Sequence, residues 1–242
     1  MDRGIYVALS GAIAQERRMD LLADNLANVN TAGFKGQKPV FEEAVPGLGN
    51  LLAGTNPRSF TSIDRVVTDM SPGIMENTGR SLDVAIEGDG FFAVKTPTGL
   101  RYTRDGSFSV AADGTLTTRE GYKVMGEKGP ITLTGPDVSI SAEGEIEANG
   151  IVVDRLRLVS FNNVMNLVRE GNLFTPADDT VKVVPVDPNT TVAQGFVESS
   201  NINAVRAMTE MIDAMRSYET HAKMVQTMDD MTKKSIEEVG RT

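Results

Sequence analysis

The chain has no cysteine and no tryptophan among its 242 residues, and a single histidine. Without cysteine there is neither a disulfide framework nor thiol chemistry. His221 stands alone inside a helical stretch, so a Ser–His triad or a metal site has little to build on, and a helix-face residue is the default reading. There is no stretch of 18 apolar residues, hence no helical membrane span. There is no basic run either. Residues 1–38 carry five basic and four acidic side chains and residues 196–242 carry six and eight, which leaves about −8 of the net −9 in the middle. An acidic middle without clustered Lys and Arg argues against nucleic acid as a partner, because phosphate neutralisation needs such clusters. The small residues Ala12–Ala14 resemble a cleavage site. The apolar run Ile5–Leu9 is too short for a secretory signal, however, and Asp2 cancels Arg3.

What is present begins with the last forty residues. Val205, Met208, Ile212, Met215, Ala222, Val225 and Met228 recur mostly at steps of three and four, the spacing of one helical stripe. Neither Gly nor Pro interrupts from Ser199 to Val239, Ser199–Asn201 offer N-cap oxygens, and Gly240 offers a stop. Such a helix is a rod of roughly 60 Å and needs a partner for its stripe. Its six methionines, among them Met224 and Met231, suit adaptable packing. Residues 4–28 predict a second helix with Ile5, Leu9, Ala12, Met19, Leu22, Leu26 and Val29 on one broad face, interrupted at Gln15–Arg18. Asn28, Asn30, Thr31 and Gly33 stop it. Whether the two helices pair with each other or with other molecules is left open at this level.

Between them, Pro39, Pro46, Gly47, Gly49, Gly54 and Pro57 read as a linker or extended arm. From Ser81 the period changes to two: Leu82, Val84 and Ile86 alternate with Asp83 and Ala85, and short strands continue to about Val197. Asp105-Gly106 and Asp113-Gly114 read as hairpin turns. Gly88-Asp89-Gly90 lacks the third glycine and the following helix of a dinucleotide site, and the Asp-Gly pairs lack calcium-loop spacing. Glu143, Glu145 and Glu147 read as the solvated face of a strand. The expected class is therefore α+β. A coiled-coil-like terminal helical domain (1–34 and 196–242) and an arm (35–80) are expected to bracket an all-β domain (81–195). Neither an enzyme nor a cofactor is indicated. A β-rich binding or carbohydrate-active domain with coiled-coil termini is the alternative from another class.

Three runs carry a family resemblance. Asn25-Leu-Ala-Asn28-Val-Asn-Thr31-Ala-Gly33-Phe34-Lys35 resembles the N-terminal signature of flagellar rod and hook subunits. Leu82 to Phe92, including Gly88, Asp89, Gly90, Phe91 and Phe92, resembles their β-domain signature, together with Tyr102 to Phe108. Gln194-Gly195-Phe-Val-Glu198-Ser-Ser200-Asn201-Ile-Asn203 and the helix through Arg216–Glu219 resemble their C-terminal signature. Within the family the opening Met1–Tyr6 is most similar to the proximal rod protein. The distal rod protein or another hook–basal-body subunit is the runner-up. The resemblance implies a structural polymer subunit of the bacterial flagellar basal body. Its terminal helices, through Ile5, Leu9, Met19, Leu22 and Leu26 and through Val205 to Met231, would line the periplasm-spanning rod. Its partners would be copies of itself, other proximal and distal rod proteins, and the flagellar type III export apparatus, with no signal cleavage. Phe41 and Val45 fit a Phe-x-x-x-apolar pattern that such subunits would present to the export gate.

Overall fold

The computed structural model describes residues 2–44, 60–135 and 137–239, so Val45 and the stop at Gly240 lie outside the described residues. The fold is α+β, and the chain divides into two compact units. The first comprises 1–27, 37–69 and 203–242, and the second 28–36 and 70–202. These boundaries differ from the segments drawn on the sequence. The N-terminal signature after residue 27 joins the β-rich unit, and much of the expected arm is a hairpin in the helical unit.

The first unit holds helices α1 (Asp2–Ala27) and α2 (Ala204–Val239). Gly4 lies against Met228 and Gly11 against His221, so seven residues forward on α1 are seven back on α2, and the pair is antiparallel. A Cβ added at Gly4 would stand 2.8 Å from Met228 Cε, and one at Gly11 2.7 Å from His221 Cε1. Packed carbons do not approach that closely. The other buried residues of the two helices are mostly small: Ala8, Ala12 and Ala14 on α1 and Ala207 and Ala214 on α2, with Leu22 the large exception. α2 is the longer helix, 36 residues against 26. In this register its last turns, from Met231 onward, run past the start of α1.

α2 starts later than the sequence suggested. Asn203 Oδ1 accepts the Arg206 amide at 3.0 Å and caps the helix. Ser200 Oγ instead accepts the Ile202 amide at 3.3 Å, and Asn201 is engaged elsewhere, as described below. The expected arm contains an antiparallel hairpin, Gln37–Ala44 with Phe60–Thr68, bulged between Val40 and Phe41. Its second strand is rich in β-branched residues, and this outweighs the Pro/Gly punctuation before it.

The second unit is β-rich and is organised around the strand Phe91–Thr96, which pairs with Gly99–Thr103, Lys123–Val124 and Leu158–Phe161. Alternate side chains of this strand enter two cores. Phe92 and Val94 join Val84, Phe108, Leu116 and Ile146. Phe91 and Ala93 join Tyr102, Phe161 and Phe174. Edge-to-face ring pairs reinforce both, Phe92–Phe108 at 5.1 Å and Tyr102–Phe161 at 4.9 Å between centroids. Burial on both faces also changes the expected alternation at 82–86, where Asp83 and Ala85 are as buried as Val84. Gly88 has φ +108° and Gly90 +157° at the turn into this strand. Asp113-Gly114 forms a turn, with Gly114 at φ +79° and Thr115 donating to Asp113 Oδ1. Asp105-Gly106 is no exposed hairpin turn. Asp105 and Ser107 are buried, and Ser107 bridges to Asp83, because the backbone here runs hard against that of Val84.

Replacing Gly11 with Leu puts a branched side chain where the His221 ring lies. We expect at least 1 kcal/mol of destabilisation, visible as faster amide exchange in both helices and unchanged exchange in the 91–96 strand. Unchanged helix protection would refute the close approach.

Candidate functional site

The most highly organised polar cluster lies in the second unit, where the three signature runs meet. Lys35 Nζ sits 2.5 Å from Glu198 Oε1, with only 2% and 4% of the two side chains exposed. The ammonium also donates to the Ser71 carbonyl at 2.8 Å, and the same carboxylate oxygen accepts the Gly73 amide at 2.8 Å. The other oxygen, Oε2, faces Arg104 Nη1 at 3.7 Å. Arg104 lies over the Phe91 ring, 5.2 Å from its centroid. Burial pulls its pKa down from the ordinary guanidinium value, and the Glu198 and Asp89 carboxylates oppose that shift.

Backbone pairing holds the segments in place around these charges. The Gly33 amide donates to the Glu198 carbonyl at 2.6 Å, and the Asn201 amide donates to the Phe34 carbonyl at 3.4 Å. Asn201 Oδ1 accepts the Gly36 amide at 2.9 Å, and its Nδ2 donates to Ser71. Gly33 adopts φ +67°, and any Cβ there would collide with the backbone of Arg104 and Asp105. Glycine is thus required twice over, by conformation and by contact. Arg169 stacks on Phe34 at 4.5 Å and donates to the Lys35 carbonyl at 3.2 Å. Asn172 Nδ2 donates to the Ala32 carbonyl and to Asp105 Oδ2. Burial pushes the Asp105 carboxyl up from its ordinary pKa, against hydrogen bonds from Ser107.

The other singled-out residues are distributed as follows. Gln194 ties its own strand, Thr191–Gln194, to the strand Val138–Ile140 and to the turn at Ser81, by donating to Ser81 and Val138 and accepting from Ile140. The Gly195 amide donates to the Asp83 carbonyl. Asn25 belongs to the helical unit, where its amide clamps both backbone groups of Gln37 at 2.8 and 2.9 Å. Thr31 donates to Asn28. Of the assembly candidates, Leu22 is buried and Ile5, Met19, Leu26, Val225 and Met228 are half-buried. Leu9, Val205, Met208, Ile212, Met215 and Met231 are exposed. The backbone of Phe41 pairs with that of Ile63. Sequence reasoning missed Arg104, Arg169 and Asn172 as site residues. It also read Ser71 and Gly73 as loose chain, since nothing local marks their role.

Nothing in this arrangement resembles a reaction centre. Its charges are locked to one another, and among the described residues no group of three His, Cys, Asp or Glu could hold a metal ion. His221 packs inside the helix pair, and its Nδ1 has no hydrogen-bond partner among the described residues. What the cluster does is bind three chain segments into one body.

That describes a protein whose termini are helices bracketing a β insert, closed by a network built from its own signature runs. Three family models match in the corresponding order. They are the flagella basal body rod protein over residues 5–35, the flagellar hook protein FlgE/F/G D1 domain over 85–152, and the flagellar basal body rod FlgEFG protein C-terminal model over 193–238. The chain is 36% identical to the flagellar basal-body rod protein FlgF of Mesorhizobium japonicum, covering 99% of both chains. It is also 36% identical to FlgF of Escherichia coli, covering 95% of both. It is 32% identical to the rod protein FlgG of Bacillus subtilis, covering 98% of both. The chain belongs to the flagellar basal-body rod protein family. Neither the family models nor these relatives carry the name of a catalyst.

A buried pair that loses one partner leaves an uncompensated charge, at a cost of roughly 3–5 kcal/mol. Lys35→Met and Glu198→Leu should each lower stability by about that much in denaturant titrations of the full chain. The double substitution should cost at least 1 kcal/mol less than the two combined. Strict additivity would show that the two charges do not act as a pair.

Proposed function

We propose that this chain is a structural subunit of the bacterial flagellar basal-body rod, and that it polymerises through the outward faces of α1 and α2. One observation carries the reading. Most fully buried positions of the two helices are Ala, with Gly4 and Gly11 against Met228 and His221, while many large apolar side chains face out. Tyr6, Val7, Leu9 and Ile13 on α1 are 44–64% exposed. On α2, Val205, Met208, Ile212, Met215, Met224, Met231 and Ile236 are 42–74% exposed. An ordinary amphipathic helix does the reverse. Full burial of each such side chain is worth about 1.5–3 kcal/mol, so stacking these faces against neighbouring subunits supplies a large driving force. Unbranched methionines adapt to neighbours that differ above and below. A head-to-tail contact that does not close gives an open helical tube. In that tube the helices would pack in coiled-coil-like fashion.

The opening Met1–Tyr6 supports a place in the proximal rod, next to the distal rod protein. In this reading the chain passes through the flagellar export apparatus, keeps its N-terminus, and ends in the part of the rod that crosses the periplasm. Phe41 and Val45 are the residues we assign to export.

Ile212→Lys combined with Met215→Lys changes only outward positions. The expected result is a secreted, folded chain with native protection in the β-rich unit, which fails to enter basal bodies and leaves a deletion strain non-motile. A motile strain with the variant in its rods would refute polymerisation through this face. An Ala pair at Phe41 and Val45 should cut secretion without altering the fold. Normal secretion with failed assembly would assign Phe41 and Val45 to packing instead.

A further inference from the structure

The chain passes between its two compact units after residues 27, 36, 69 and 202. Three of these crossings leave the β-rich unit from one spot. The side chain of Asn201 holds all three runs. Its Oδ1 accepts the Gly36 amide at 2.9 Å, and its Nδ2 donates to the Ser71 carbonyl and hydroxyl, each at 3.2 Å. The run 198–202 also bonds to both of the others through its backbone. The Glu198 carbonyl and the Asn201 amide serve Gly33 and Phe34, and the Ser199 amide donates to the Ile74 carbonyl at 2.8 Å. Glycine keeps the runs this close. A Cβ at Gly36 would collide with Ile202 Cδ1, and one at Gly73 with the Ser199 carbonyl.

No run leaves this arrangement cheaply on its own. Withdrawing 198–202 strips the Gly33, Gly36 and Gly73 amides of their acceptors and takes the carboxylate from Lys35. Withdrawing the Gly36 or the Ser71 run strips Asn201 instead. A buried group left without its partner is costly. Partial opening therefore costs nearly as much as complete opening, which is the condition for an all-or-none step. The two hydrophobic cores lie elsewhere. Phe92, Val94 and Phe108 centre one and Phe91, Tyr102 and Phe174 the other, and neither draws a residue from 33–36, 71–74 or 198–202.

We propose that these three runs form a single latch, which opens and closes in one step distinct from unfolding of the β-rich unit. A hinge is a short stretch of chain whose backbone is free to rotate. The closed latch denies that freedom to three crossings at once, and a pull on any one of them is shared by all. Asn201 is its positioning residue. The latch is made of this chain's own bonds and does not rest on the reading of the chain as a rod subunit.

Native-state amide exchange of the soluble full-length chain, followed by NMR at low rising denaturant, tests it. The amides of Gly33, Gly36, Gly73, Ser199 and Asn201 should share one opening constant within about threefold. They should exchange faster than those of Ala93 and Met125, which donate to Arg157 and Ala93 inside the β-rich unit. Asn201→Ala should speed every latch amide by a common factor of about ten and leave Ala93 and Met125 unchanged. Asn201→Asp keeps an acceptor for Gly36 and loses the donors to Ser71. It should again speed the whole set, whereas independent bonds would spare Gly36. Opening constants spread over more than about tenfold would overturn the single latch. So would an alanine variant that speeds Gly36 alone or none of the set. Latch amides that exchange no faster than Ala93 and Met125, or loss of protection at those two in Asn201→Ala, would overturn its separation from the cores.

Discussion

The second unit depends on one buried ion pair. Lys35 and Glu198 are 163 positions apart in sequence and almost wholly excluded from water. Two charges so placed are tolerated only when geometry and added hydrogen bonds offset their desolvation. Here the Ser71 carbonyl and the Gly73 amide provide those bonds, and Arg104 supplies a second positive charge to the carboxylate. Arg104 is a residue of the β-domain signature, so the pair is the point at which all three signature runs become mutually dependent. Gly33 fits the same logic, since the chain there passes so close to the Arg104–Asp105 backbone that only a residue without a side chain fits.

The helical unit obeys a different constraint. Its two helices carry Gly4, Ala8, Gly11, Ala207 and Ala214 at close or buried positions, and many of the bulky apolar residues stay outside. A free-standing protein gains nothing from that arrangement. A subunit whose neighbours cover the outer face gains a thin, stackable element with an adhesive surface on both helices. The structural role in the rod, which the family relationship shows, is consistent with this inversion.

Much of this was legible from sequence. The stripe from Val205 to Met228 and the face from Ile5 to Leu26 gave two long terminal helices, and period-two alternation after Ser81 gave the β region, since both signals are local. The inward and outward faces were not legible. A hydrophobic stripe marks large side chains, whereas most of the fully buried positions are Ala, and Met228 faces Gly4 while Met208 faces solvent. The 37–44/60–68 hairpin was hidden by Pro39 and the Gly/Pro-rich stretch within it. Lys35 and Glu198 sat inside quoted motifs, but two single charges so far apart carry no local sign of pairing. Arg169 and Asn172 carried no motif at all. Asp83 looked like the polar half of an alternating strand because sequence does not show that a strand is covered on both sides.

The claim that the outward helical faces are buried only on assembly is tested most directly by methionine oxidation footprinting. The soluble full-length chain and intact basal bodies are exposed to the same dose of peroxide, and sulfoxide is read residue by residue by mass spectrometry. Met208, Met215, Met224 and Met231, all 42–58% exposed in the single chain, should oxidise readily in the soluble protein and be protected several-fold in the rod. Equal oxidation of these four in both states would contradict the account.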